Sequence, residues 1–178
     1  MKINRLAVRL CMCALVFFRA LSLYADGKDS LSRKMIHMAG IDVKPAYIFP
    51  THEFFAGNNA TFSPIRKNLS VHLKYGFKFA PDTYFGQMYP HAVQGIGVGY
   101  NTFFHSSELG NPWSVYAFQT SRIASLTPRL SLDYEWNFGA SFGWKKFDAE
   151  SNPYNRVVGS KMNAYIHLSF LLNWQLDA

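Results

Sequence analysis

The sequence is poor in cysteine, in charge and in long apolar runs. It has two cysteines among 178 residues, Cys11 and Cys13, so a disulfide framework is excluded for most of the chain. Charged residues make up 16%, against roughly 25% in a typical soluble domain. No segment reaches the run of about 18 apolar residues that indicates a membrane-spanning helix. Apolar residues at 49% exclude a disordered chain, and 17% aromatics with little charge favour β-structure suited to a membrane.

The start of the chain has the pattern of a secretory signal peptide. Lys2, Arg5 and Arg9 precede an apolar run over residues 10–18, which is too short to cross a bilayer as a helix. We therefore predict that residues 1–25 are a signal peptide; the alternative is a short buried helix. Removing it takes away four basic residues, so the formal charge falls from +7 to 14 − 11 = +3. Most of the excess positive charge therefore belongs to the predicted signal peptide, and no nucleic-acid partner is expected.

The next segment, residues 26–40, is predicted to carry a short helix over 29–40. Its support is the spacing of Leu31, Met35 and Met38, which fall on one helical face.

From residue 41 the hydrophobic period is two, which is typical of β-strands with one apolar and one polar face. Several alternating segments exceed the usual five or six residues and match the roughly 9 to 11 residues of a tilted membrane strand. We predict an all-β fold, an antiparallel up-and-down outer-membrane β-barrel over 41–178, with six of about eight strands present. A soluble periplasmic β-sandwich that binds lipid or sugar is the alternative. The predicted strands lie near 41–49, 68–80, 93–105, 113–124, 129–146 and 157–176.

Loop lengths predict a direction for this barrel. The connection 125–128 is short, as periplasmic turns are, whereas 50–67 and 147–156 are longer, as outside loops are. Basic residues then fall near the outer rim, which meets phosphorylated glycolipid; the alternative is an ordinary solvated rim. The residues are Arg66, Lys67, Lys145, Lys146, Arg156 and Lys161. Among them, the candidate lipid phosphate-binding residues are Lys145, Lys146, Arg156 and Lys161.

Three stretches of the later chain carry a resemblance to a known family. They are Glu108-Leu109-Gly110-Asn111-Pro112, then Pro128-Arg129-Leu130-Ser131 with Tyr134-Glu135-Trp136-Asn137-Phe138-Gly139, then Asn152-Pro153-Tyr154-Asn155-Arg156 with Gly159-Ser160-Lys161. Together they resemble the lipid A deacylase (acyloxyacyl hydrolase) family, over about residues 29–178. The resemblance implies an eight-stranded barrel in the outer membrane of a Gram-negative bacterium. It also implies a carboxylic ester hydrolase that removes an acyl chain from lipid A of lipopolysaccharide, with no metal or other cofactor.

The family's signature is His-x-Ser-Asn on a late strand, with a Glu about a dozen residues further on. His167-Leu168-Ser169 matches its first three positions, but Phe170 stands where Asn is expected. By resemblance, Ser169 is the candidate nucleophile and His167 the candidate base. The Glu would fall beyond Ala178, so we expect the closing strands and the family's catalytic strand to be missing here. The alternative is that both residues are polar side chains lining a non-enzymatic barrel.

A carboxylate pair gives a further candidate site. Asp133 and Glu135 share the polar parity of one predicted strand, with Arg129 on the same face. Paired carboxylates can serve as general acid and base. The more ordinary interpretation is an ion-pair cluster inside a small barrel.

Motifs for cofactors are scarce. The six histidines show no ligand spacing, so no metal site is predicted. Gly95, Gly97 and Gly99 alternate, but no dinucleotide fingerprint follows. Alternating glycines in a strand instead predict room for large neighbouring side chains.

Overall fold

The computed structural model describes residues 34–176, which form one six-stranded, mostly antiparallel β-sheet. Neighbours in the sheet are neighbours in the chain, in the order β1-β2-β3-β4-β5-β6. The strands are β1 (Met35–Tyr47), β2 (Lys67–Phe79), β3 (Val93–Thr102), β4 (Gly110–Ser125), β5 (Leu130–Trp144) and β6 (Met162–Trp174). The six predicted strands are therefore confirmed, with bounds that differ by a few residues. All six belong to one sheet, whereas a β-sandwich would need a second sheet packed on it.

The predicted helix over 29–40 is wrong for the part that the structure describes. Residues 35–40 belong to β1, and β1 lies beside β2 in the sheet. The Tyr75 hydroxyl lies 2.8 Å from His37 Nδ1, and the two rings stack at 5.9 Å. Pairing with a neighbouring strand thus outweighs the weak helical spacing of three apolar residues. Residues 29–33, like the predicted signal peptide over 1–25, lie outside the described residues.

The contacts described below all lie within the compact unit that begins at Ile36. Most strands there separate apolar from polar side chains, although Tyr116 and Phe118 of β4 lie buried on the polar side. In β6, Ile166, Leu168 and Phe170 are 73%, 68% and 70% exposed, while the intervening His167 and Ser169 are half-buried. The apolar rows therefore form the exposed face of the sheet, and the polar rows form its more enclosed face.

The sheet curls into a half-barrel around the polar face. Lys74 on β2 and Glu135 on β5 are three strand spacings apart, roughly 14 Å across a flat sheet. Glu135 also lies four residues along β5 from Gly139, the residue in register with Lys74. The charged atoms of Lys74 and Glu135 nevertheless lie 2.7 Å apart. Only a sheet that is concave on its polar side brings them together.

One end of the sheet carries a folded cap. Three connections, 48–66, 103–109 and 145–161, emerge at this end and are called the loop cap. They share a small apolar core, formed by Phe54, Ile65, Leu109 and Val158. This core holds the three connections against each other, so their polar side chains have defined positions.

The helices are short. They are α1 (Glu53–Ala56), in the loop cap, and α2 (Tyr84–Met88), at the opposite end of the sheet. Within residues 34–176, no helix has the length and apolarity needed to cross a membrane.

Candidate functional site

The concave face carries a group of four charged side chains, Asp42, Lys44, Lys74 and Glu135, called the interior network. Lys74 Nζ lies 2.7 Å from both oxygens of Glu135 and 2.6 Å from Asp42 Oδ2. Lys44 Nζ lies 3.4 Å from Asp42 and 3.8 Å from Glu135. Two ammonium groups thus balance two carboxylates, as groups removed from water require.

Glu135 is the most enclosed member of the network, at 3% exposed. The Thr120 hydroxyl donates to Glu135 Oε2 at 3.1 Å, and the Asn137 amide donates to Oε1 at 3.3 Å. Both of its oxygens therefore have partners, which favours a structural ion pair over acid–base chemistry. Glu135 does belong to an ion-pair cluster, but with other members than predicted: its close cation is Lys74, which lies 61 residues earlier in the chain.

Asp133, the other member of the predicted carboxylate pair, has different neighbours. It accepts a hydrogen bond from the Asn173 amide at 2.6 Å, and Arg122 Nε lies 3.6 Å away. The two carboxylates are thus each neutralised separately. A cavity of about 540 Å³ lies along the concave face, with Lys74, Asp133 and Glu135 in its lining.

Gly97 and Gly99 of β3 make room for side chains of the concave face, as predicted, whereas a Cβ on Gly95 would meet the backbone of Tyr75 and Gly76. A Cβ on Gly97 would lie 2.5 Å from Cζ of Tyr116, and one on Gly99 would lie 2.5 Å from Nδ1 of His72. The freed space lets the Tyr116 hydroxyl approach His72 Nδ1 to 2.9 Å. This pair packs the middle of the curled sheet.

The structure places His167 and Ser169 on the concave face without pairing them. The Asn137 amide donates to His167 Nδ1 at 3.3 Å, and the His167 ring stacks on Tyr165. Ser169 Oγ is buried and has no hydrogen-bond partner within the described residues. A Ser–His catalytic pair needs a hydrogen bond from the hydroxyl to the imidazole, so the role inferred from the resemblance remains a prediction.

The stretches that carry the family resemblance meet in the loop cap. The buried amides of Asn152 and Asn155 both donate to the backbone carbonyl of Glu108, at 2.9 and 2.7 Å. Asn155 also donates to the carbonyl of Lys145 at 2.9 Å, and Asn152 to that of Lys146 at 3.2 Å. These asparagines therefore join two connections through hydrogen bonds between residues more than 40 positions apart in the chain.

The Glu108 side chain ties in the third connection. It is 3% exposed, and its Oε1 accepts the backbone N–H of Ala60. Its Oε2 is buried with no hydrogen-bond partner within residues 34–176. Glu108 thus connects all three segments of the loop cap.

The four predicted phosphate-binding residues, Lys145, Lys146, Arg156 and Lys161, are all exposed and lie at the loop-cap end. Lys145 Nζ donates to the carbonyl of Ser107 at 3.1 Å. Arg156 lines a separate cavity of about 540 Å³ in the loop cap.

An acidic side chain lies among these cations. Hydrogen bonds from the Ser151 backbone and hydroxyl, and from the Glu150 backbone, lower the pKa of Asp148, and the charge of Lys146 acts in the same direction. The rim therefore offers cations together with a competing carboxylate, and phosphate binding there remains a prediction.

Sequence reasoning missed a Ser–His contact in the loop cap. Ser63 Oγ lies 3.4 Å from Nε2 of His105, although the two residues are 42 positions apart. His105 Nδ1 lies 3.2 Å from the backbone carbonyl of Phe103. No spacing rule indicates this pair, because irregular connections bring it together.

Searches against protein-family models, curated proteins and solved structures gave no match. Within the described part of the chain, no three His, Cys, Asp or Glu side chains are grouped so that they could hold a metal ion.

Proposed function

We propose that this chain is an outer-membrane β-barrel protein of the lipid A deacylase type. In this proposal its apolar face contacts lipid, its loop cap meets lipopolysaccharide, and it hydrolyses an ester-linked acyl chain. The observation that carries the membrane part is the reversed distribution of side chains in the sheet: apolar rows are exposed and ion pairs are enclosed.

The extent of the exposed apolar face supports the membrane part of the proposal. Soluble monomers rarely expose contiguous apolar patches above a few hundred Å². Here the face continues across neighbouring strands, since Leu73, Val98 and Val115 are exposed in β2, β3 and β4 and are paired with one another in register. Hydrocarbon is the solvent that suits such a surface, and strands that alternate apolar-out and polar-in are typical of outer-membrane barrels.

The interior network supports the same proposal from the other face. Four charges on the concave side would be costly against lipid, but they pair with one another in the hollow of the sheet. A polar interior behind an apolar exterior is the arrangement of a small membrane barrel.

Support for the hydrolase part comes from the loop cap. The stretches around Glu108 and Asn155 that resemble the deacylase family are hydrogen-bonded to each other, so they form one folded unit at the end that carries the basic rim. Cations at such a rim suit the phosphates of lipid A.

A non-enzymatic outer-membrane barrel is the second candidate. It is favoured by Ser169, whose buried hydroxyl makes no hydrogen bond to His167 within the described residues.

Expression of the full-length gene product in a Gram-negative host tests both parts. We expect the protein in the outer-membrane fraction after a urea wash, and lipid A from these cells should lose the mass of one acyl chain. A host carrying the empty vector is the control. Release with the periplasm without detergent would overturn the membrane proposal. Membrane insertion with unchanged lipid A would leave the non-enzymatic barrel.

A further inference from the structure

The loop cap contains a Ser–His pair with the hydrogen-bond arrangement of a nucleophile and its base. Ser63 Oγ and His105 Nε2 are 3.4 Å apart, and both side chains are half-buried. Ser63 follows α1 in the first connection, and His105 lies in the second. The contact is slightly long, as catalytic hydrogen bonds often are before substrate binds.

The second ring nitrogen of His105 determines which of the two side chains donates the hydrogen bond. Nδ1 faces the backbone carbonyl of Phe103 at 3.2 Å, and a carbonyl oxygen can only accept a hydrogen bond. Nδ1 of His105 therefore carries the proton, and Nε2 of the neutral ring is left as an acceptor. A hydrogen bond between the two side chains therefore runs from the Ser63 hydroxyl to Nε2, which is the direction needed for proton removal.

Buried Asn59 holds the backbone of Ser63 in place. Its amide donates to the Ser63 carbonyl at 2.7 Å, and its Oδ1 accepts the Ser63 N–H at 3.3 Å. The Thr61 hydroxyl donates to the same Oδ1 at 2.8 Å and lies 3.2 Å from Ser63 Oγ. Thr61 thus competes with His105 for the serine proton, while Asn59 keeps Ser63 facing the ring.

Both members of the pair follow a phenylalanine with unusual backbone geometry. Phe62 has φ 49° and Phe104 has φ 60°, and within residues 34–176 these are the only residues other than glycine with positive φ. Left-handed backbone at non-glycine residues is concentrated at functional sites. Their rings are 78% and 61% exposed, so each polar group has an uncovered apolar side chain beside it in sequence.

From these observations we propose that Ser63 and His105 are a catalytic pair that hydrolyses carboxylic esters with an apolar acyl chain. Ser63 Oγ attacks the carbonyl carbon while its proton passes to His105 Nε2. The ester C–O bond breaks, the leaving alcohol takes that proton, and the acyl group remains on Ser63. Water then gives a proton to His105 and attacks the acyl group; the carboxylic acid leaves and the proton returns to Ser63 Oγ.

The exposed rings of Phe62 and Phe104 are suited to contact the acyl chain. Phe62 also makes an edge contact with Tyr154, with ring centroids 6.4 Å apart. The inference rests on the proposed function only for the source of the ester, a membrane lipid; the pair itself differs from His167 and Ser169.

Covalent labelling of the purified full-length protein in detergent micelles tests the assignment. We expect an alkyl fluorophosphonate to add once to the protein, with the adduct on the peptide that contains Ser63. Ser63→Ala should remove the adduct, whereas Ser106→Ala, a change at an exposed serine beside His105, should label as the unchanged protein does. No adduct on the unchanged protein, or an adduct on Ser169, would overturn the assignment whether or not any variant folds.

Hydrolysis of p-nitrophenyl octanoate gives the second measurement. His105→Gln should lower the rate by about 100-fold or more, as loss of a general base does, while Ser106→Ala should retain it. An unchanged rate in Ser63→Ala would contradict the proposal.

If Ser63 labels but the protein fractionates with the periplasm, the membrane proposal fails and the catalytic pair stands. If lipid A loses an acyl chain while Ser63 remains unlabelled, the proposed function stands and the assignment of Ser63 and His105 as a catalytic pair fails.

Discussion

Lys74 and Glu135 face each other across the concave side of the sheet, with the lysine nitrogen 2.7 Å from both carboxylate oxygens. The Glu135 carboxylate is almost fully enclosed, so its charge depends on this partner. Removing one member of a buried ion pair costs about 3–5 kcal/mol, because the other charge remains without compensation.

We therefore expect Lys74→Met to lower the free energy of unfolding by about 3 kcal/mol, the lower end of that range, since Lys44 remains 3.8 Å from Glu135. Urea unfolding in detergent, followed by tryptophan fluorescence, measures the change. Lys161→Met, at an exposed lysine, is the control and should have little effect. Adding Glu135→Gln to Lys74→Met should restore part of the loss; a further loss of equal size would show that the two residues act independently.

Gly97 is expected to be intolerant of any side chain. A Cβ there would lie 2.5 and 2.6 Å from two ring carbons of Tyr116 and 2.7 Å from its hydroxyl oxygen, and Tyr116 is itself only 2% exposed. Gly97→Ala should therefore cost about 1–3 kcal/mol of unfolding free energy, the usual penalty of overpacking. Gly40→Ala is the matched control, because no atom lies within 4 Å of a Cβ at Gly40. Equal stability of the two variants would show that the Tyr116 ring moves aside without cost.

The loop cap should depend on Asn155. Its amide joins the carbonyls of Glu108 and Lys145 at 2.7 and 2.9 Å, and Asn155→Ala would leave both carbonyls without this donor. We expect a loss of about 1–3 kcal/mol and faster proteolytic cleavage within 145–161. Asn58→Ala is the control, since Asn58 is exposed and makes one long side-chain bond of 3.4 Å to Glu53. Similar cleavage rates for both variants would contradict the role given to Asn155.

The strands could be predicted from the sequence because every strand repeats one local rule. In β6 the alternation of Ile166, Leu168 and Phe170 with polar residues predicts both the strand and its two faces. At the start of β1 the same rule is weak, since Met35 and Met38 also fit a helix. Pairing with β2, seen in the contact of His37 with Tyr75, decides between the two, and the local sequence does not contain that contact.

The candidate sites could be predicted only where their members share a strand. The position of Glu135 on the polar face of its strand indicated an ion-pair cluster. Its partner Lys74, however, lies on β2, which comes close to β5 only because the sheet curls. Ser63 and His105 lie in irregular connections, where no period relates position to direction. Their contact depends on the apolar core of the loop cap and on the hydrogen bonds of Glu108, which join residues far apart in the chain. It also depends on the hydrogen bonds that Asn59 makes within a turn.

The exposed face of β3 offers a test of the solvent around the sheet. Val98 lies at the middle of the strand and is 43% exposed, and Gln94 lies on the same face near the strand's end. In a bilayer, an arginine facing lipid costs about 2–4 kcal/mol at the midplane and about 0–1 kcal/mol near the interface. In water, an arginine at an exposed valine would cost little.

We therefore expect Val98→Arg to lower the free energy of unfolding in phospholipid vesicles by about 2–4 kcal/mol, and Gln94→Arg by less than about 1 kcal/mol. Reversible urea unfolding from the vesicles measures both, and the difference between the two variants isolates depth from the general effect of an added charge. If Val98→Arg inserts and unfolds as Gln94→Arg does, the apolar face does not meet hydrocarbon. The exposed rows of the sheet would then need a protein surface, rather than lipid, to cover them.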